Sequence, residues 1–128
     1  MRVPKLHKVL ICGDREYRAG YTQIVKREIR RRVTAHGRDN LLVIEGGAPG
    51  VDTLAKLAAK KQGVHVAEVE ALWDIFHKGA GPKRNKVMAA LEPHEVLAIH
   101  FTIEQSVGTA LMLDIAESLG IPSRLLSS

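Results

Sequence analysis

Cysteine occurs once in the 128 residues, as Cys12. A lone thiol excludes an internal disulfide and any metal cluster built on several cysteines. It sits in an apolar run, where a small buried thiol packs as a hydrophobe. Aromatic side chains are nearly as scarce: Tyr17, Tyr21, Trp73, Phe76 and Phe101 make up 4% of the chain. Proteins that hold single-stranded nucleic acid usually stack bases on such rings, so few platforms exist for that task here. No apolar run approaches membrane-spanning length, and Met1 to His7 is not followed by a long apolar segment of the signal-peptide kind. No membrane association is expected, and a cytoplasmic location is. The six histidines show no HExxH or HxH spacing, and no metal site is expected. No serine stands in a GxSxG context.

What is present is ordinary for a folded domain: 45% hydrophobic and 26% charged residues. The length suits one domain spanning residues 1–128, with no repeat, linker or low-complexity tract. Nineteen basic against fourteen acidic residues leave a net charge of +5. That balance favours anionic partners, from phosphates to nucleic acid, without choosing among them.

Short β-like runs alternate with helical patterns. Residues 8–12 (KVLIC) form an apolar, β-branched run ending at Gly13. Tyr21, Val25, Ile29 and Val33 recur every four residues, as on one face of a helix over 21–36. Residues 41–45 (LLVIE) predict a second strand, 51–62 a second helix, and 64–69 a third strand. An irregular stretch at 73–81 follows, then a helix opened by Pro82 that stops before Pro93. A fourth strand over 95–101, a helix over 105–119 and a strand over 123–126 complete the pattern. Such alternation predicts a Rossmann-like α/β fold, a three-layer sandwich around a mostly parallel five-stranded sheet. Right-handed crossovers then place every strand-to-helix loop on one edge of the sheet. The glycine-rich segments follow strands, so they converge on one rim, where open α/β sheets take their ligands.

Three rim segments carry the chemistry. Gly46-Gly47-Ala48-Pro49-Gly50-Val51-Asp52 joins a strand to a helix, where glycines admit close approach and free N–H groups favour an anion. It is neither a P-loop nor the GxGxxG dinucleotide fingerprint, and no cofactor is expected. Ser106-Val107-Gly108-Thr109 is a second such turn, its hydroxyls suited equally to capping a helix and to contacting phosphate. Pro82-Lys83-Arg84-Asn85 offers a guanidinium fork for phosphate at Arg84. Asp52 is placed to cap a helix, to bind a ribose hydroxyl or to polarise water. The run Lys26-Arg27 with Arg30-Arg31-Arg32 reads either as a solvated helix face or as a phosphate-tracking stripe.

Gly13-Asp14-Arg15, GGAPGVD, Trp73, AGPKRN with Met88, and SVGT ahead of Gly120-Ile121-Pro122 occur in one order along residues 9–126. This order resembles the YspA-like branch of the superfamily that unites DprA and the LOG proteins (SLOG). The resemblance implies a Rossmann-like homo-oligomer binding nucleotides or nucleotide-derived, phosphorylated ligands. It assigns the ligand site to Gly13, Asp14, Arg15, Gly46, Gly47, Ala48, Gly50, Asp52, Trp73, Arg84, Asn85, Ser106, Gly108 and Thr109.

LOG enzymes cleave the N-glycosidic bond of nucleoside monophosphates, and are similar in an Arg-xxx-Met segment (here Arg84 and Met88) and a Gly-Thr turn (Gly108-Thr109). Met112 stands where they carry a glutamate. A carboxylate is the natural aid to attack at an anomeric carbon, so hydrolase activity, resting on Arg84 and Asp52, is expected to be weak. DprA proteins are similar in a Gly-Ser-Arg turn, a SGxAxGID turn, an Arg-Asn pair and a Ser-Gly-x-x-Thr-Ala turn, which here resemble Gly13-Asp14-Arg15, the segment 46–52, Arg84-Asn85 and the segment 106–110. They imply the alternative of single-stranded DNA binding, with Lys26, Arg27, Arg30 and Arg31 contributing.

Overall fold

The computed structural model describes residues 5–127. Five strands form one sheet: β1 (His7–Gly13), β2 (Leu41–Glu45), β3 (His65–Glu68), β4 (Glu95–Ile99) and β5 (Ser123–Leu126). Their order is β3-β2-β1-β4-β5, and every neighbouring pair is parallel. The helices are α1 (Tyr21–His36), α2 (Val51–Lys61), α3 (Trp73–Phe76), α4 (Ala80–Ala90) and α5 (Gly108–Ser118). None is long and apolar enough to cross a membrane.

Successive strand side chains point to opposite faces, and the apolar run of β1 supplies both. Val9 and Ile11 join Tyr21, Val25 and Ile29 of α1 and Val51 and Ala55 of α2 in one core. Leu10 and Cys12 join Met88 of α4 and Met112 and Ala116 of α5 in the other. Each fully buried Val, Leu, Ile or Met contributes about 1.5–3 kcal/mol. Burial also pushes the Cys12 thiol far above its ordinary value, so it stays protonated.

The differences from the sequence expectation lie at element ends. The stretch at 73–81 contains the short α3, and α4 starts at Ala80 rather than Pro82. Proline fits inside a first helical turn, because N–H groups there have no intrahelical partner. Strand β4 stops at Ile99, and α5 starts at Gly108, after a 3-10 turn over Ile103–Gln105.

The chain runs outward from β1 to β3 on one side and then crosses back to β4 and β5 on the other. Strand order therefore reverses between β1 and β4, which opens a crevice at their carboxyl ends.

The basic run of α1 is largely tied down. Glu28 is only 1% exposed. Arg31 and Arg32 each reach it at 3.3 Å and Arg27 at 3.5 Å, while Arg32 also pairs with Glu95 of β4. A buried carboxylate needs such partners, so much of this charge compensates Glu28. At the opposite end of the sheet from the crevice, His7 stacks on His36 and His94, with centroids 3.9 and 5.1 Å apart. Their sequence spacing carried no sign of this.

Candidate functional site

The rim loops are laced together by their own backbones. Asp14 N–H donates to Ile99 carbonyl at 3.0 Å, and Asp14 carbonyl accepts from Val51 N–H at 2.9 Å. The loop after β1 is thus tied to the end of β4 and to the start of α2. A second chain of bonds runs across the other side. Arg84 donates Nη1 to Gly46 carbonyl and Nε to Asn85 Oδ1, and Asn85 Nδ2 donates to Gly108 carbonyl at 3.3 Å. Arg84-Asn85 on α4 therefore fixes the β2–α2 loop relative to the start of α5.

Between these laces lies a cavity of about 460 Å³. It takes in Gly13, Asp14, Arg15, Ala48, Asp52, Trp73, Arg84, Asn85, Ser106, Gly108 and Thr109 of the predicted site. A smaller hollow of about 190 Å³ shares Arg15, Ala48, Trp73 and Arg84 with it and adds Gly46 and Gly47. Gly50 lines neither; its place is in the backbone contact with Asp14. Lys26, Arg27, Arg30 and Arg31 of α1 line neither cavity. A Cβ added at Gly108 would meet nothing within 4 Å, so that turn faces open space.

Electrostatics separate the acids by role. Asp14 accepts from Glu16 N–H, from Arg18 Nε at 2.7 Å and from the Tyr21 hydroxyl at 2.7 Å. Burial opposes its charge, but these donors outweigh that cost and hold its pKa down at about 2. Tyr21 in turn accepts from Phe101 N–H, so this cluster clasps the β1 loop to the end of β4. Asp52 differs. Its Oδ2 accepts from Gly46 and Ala48 N–H at 3.2 Å each, shaping the loop. Its Oδ1 makes no hydrogen bond among the described residues, although Asp52 is only 5% exposed and lines the cavity. Burial pushes its pKa up to about 6, with the two N–H groups and the Arg84 charge opposing. Arg84 is itself desolvated, which pulls its pKa down.

Arg15, Lys78 and Arg84 line the cavity, and none forms a salt bridge with a described residue. The Arg15 guanidinium instead lies 5.3 Å from the centre of the Trp73 ring, a cation–π contact across the mouth. Ser106 Oγ accepts from Thr109 N–H at 3.0 Å, so this hydroxyl satisfies an N–H in the first turn of α5. Met112 is buried on the cavity wall and brings no charge there.

Sequence reasoning missed His100, Lys78, Arg18 and Gln105 on the cavity wall. His100 was within reach, because it follows β4 directly and strand carboxyl ends are where such sheets place ligands. An expected strand running on to Phe101 hid it.

Below the loop, Glu45 is fully buried and Oε1 accepts from Gly47 N–H at 2.6 Å. Its Oε2 has no hydrogen-bond partner among the described residues, and Glu68 is its register partner on β3. Burial, together with the Glu68 carboxyl beside it, pushes Glu45 up to about 8, while Glu45 and Lys56, 3.1 Å away, pull Glu68 down. The folded state therefore holds a proton that the unfolded chain releases near 4.5. Stability from this pair is complete below that value and is lost as pH rises through about 8. Urea unfolding from pH 5 to 9 should show the wild type losing about 2 kcal/mol more than Glu45→Gln, whose amide mimics the protonated acid. Equal pH slopes would mean that Glu45 carries no proton.

An all-parallel sheet with its crevice at the reversal of strand order defines a Rossmann-like α/β protein. The profile of the YspA, cpYpsA-related SLOG family matches residues 7–76, more than half the chain, and the protein belongs to that family. No curated protein matches it in sequence. Among solved structures it is similar to DNA processing protein A (DprA) from Streptococcus pneumoniae, at 19% identity and a TM-score of 0.71. That match covers 94% of this chain and 50% of the other. It is also similar to DNA processing protein A from Helicobacter pylori, described for its single-stranded DNA binding mode, at 18% identity and a TM-score of 0.73. Here 98% of this chain and 66% of the other are covered. At such identities the likeness is one of fold, and the chain spans half to two-thirds of those proteins.

Proposed function

We propose that this protein binds a nucleotide or nucleotide-derived, phosphorylated ligand in the crevice between β1 and β4. One observation carries the reading: Arg15, Lys78 and Arg84 converge on the cavity with no carboxylate partner, beside the open turn that starts α5. Cations that make no direct ion pair favour an anionic guest, and a guanidinium matches phosphate oxygens in two bonds at once. Membership of the SLOG family supports the same class of ligand. Trp73 on the cavity wall offers an indole face for a base. Any N-glycosidic cleavage would fall to Asp52, whose pKa near 6 and open Oδ1 suit proton transfer; with Met112 on the wall, turnover is expected to be weak.

Calorimetric titration with AMP, ADP and a thymidine oligonucleotide, at about 50 and 200 mM salt, tests this. Saturable one-to-one nucleotide binding with a shallow salt dependence is the expected result. Oligonucleotide binding that collapses between the two salts, with no nucleotide binding, would replace this reading by the DprA-like one.

A further inference from the structure

Strand β4 delivers His100 to the point where strand order reverses, next to Gly13 at the end of β1. The ring is 6% exposed and lines the cavity. Thr102 N–H donates to its Nδ1 at 3.2 Å. A nitrogen that accepts a hydrogen bond carries no proton, so in the neutral ring the proton sits on Nε2. The Asp14 carboxylate, 3.8 Å from Nδ1, is beyond hydrogen-bond reach and already engaged by Arg18 and Tyr21. Nε2–H has no partner among the described residues. That nitrogen is open to the cavity, and an N–H there is free to donate to a guest. Asp52 and Thr109, also buried on this wall, each keep a side-chain oxygen unpaired among the described residues, so the floor presents donor and acceptor groups together.

Resting on the reading of this crevice as a nucleotide site, we propose that His100 contacts the ligand, its Nε2–H donating to an oxygen of the ribose-phosphate portion. The Thr102 bond fixes both the tautomer and the direction in which the ring presents that donor.

Two variants separate this contact from a purely structural role. His100→Asn places an oxygen near the Nδ1 position, where Thr102 N–H still finds an acceptor, but removes the donor. His100→Gln places an amide nitrogen near the Nε2 position and so restores it. AMP, ribose 5-phosphate and adenosine are titrated into each, with Tm recorded alongside. The expected result is wild-type Tm and about tenfold weaker AMP binding in His100→Asn, with much of the loss recovered in His100→Gln. A loss on adenosine as well assigns the acceptor to the sugar; a loss confined to AMP and ribose 5-phosphate assigns it to phosphate. Wild-type binding of AMP that His100→Asn leaves unchanged would overturn the contact while keeping the nucleotide site. Equal loss in both variants together with a lowered Tm would also overturn it, as a structural effect. Failure of the wild type to bind any of the three probes would overturn the nucleotide reading, and the contact with it. Independently, 15N spectra of the imidazole should show Nε2 protonated, and a proton on Nδ1 contradicts the assignment.

Discussion

Gly50→Ala should lower the stability of the protein by roughly 2–4 kcal/mol, a large share of what a domain of this size has. Two independent costs combine at this position. The backbone has φ +81° and ψ −128°, a conformation that a Cβ makes strained. That Cβ would also stand 2.1 Å from Asp14 carbonyl and 2.6 Å from the Arg15 carbonyl carbon. Neither atom is the end of a flexible side chain, so the loop after β1 must move. Its movement breaks the bond from Val51 N–H to Asp14 carbonyl, which joins that loop to the start of α2. Urea unfolding reads the stability directly. Gly108→Ala is the matching control, because its Cβ meets open space, and should change stability by less than about 1 kcal/mol. Equal stabilities for the Gly50 variant and wild type would show that the lacing of the rim is dispensable.

Arg84→Ala should weaken nucleotide binding about a hundredfold and Arg84→Lys about tenfold, since an ammonium cannot supply the planar fork. Part of the alanine effect comes from the scaffold. Arg84 bonds to Gly46 carbonyl and to Asn85 Oδ1, so its loss frees the β2–α2 loop that bears Asp52. Recording Tm for each variant separates loosened scaffold from lost contact. Replacing Arg27, Arg30 and Arg31 together with glutamine should change nucleotide affinity less than about twofold. These side chains line neither cavity, and interactions of exposed charges are screened over a Debye length of about 8 Å at physiological salt. Arg32 keeps Glu28 paired in that variant, which protects the fold. A helix variant that loses nucleotide as badly as Arg84→Lys would mean that the ligand sits on α1 and not in the crevice.

The alternation of strands and helices was legible in the amino-acid pattern, because buried parallel strands need unbroken apolar runs and covering helices need one apolar face. The same pattern placed Gly13, Gly46, Gly108 and their neighbours on one rim, since crossovers between parallel strands are right-handed in nearly every case. Helix starts were less legible: Pro82 marks the first turn of α4 without fixing its first residue, and the 3-10 turn before α5 has no period to detect. What each rim residue faces depends on how the loops pack against one another. Gly13 and Gly50 look alike in sequence to Gly108, yet the first two lie against backbone carbonyls and the third against open space. Asp14 and Asp52 are both acids after a glycine turn. One is saturated by Arg18 and Tyr21 and pulled down in pKa, while the other keeps a free oxygen and is pushed up. His100 comes to the crevice because β4 lies beside β1, and Glu28 is buried because Arg32 bridges it to Glu95. Periodicity reports which face of an element turns inward, but pKa, pairing and access depend on side chains brought together from distant parts of the chain.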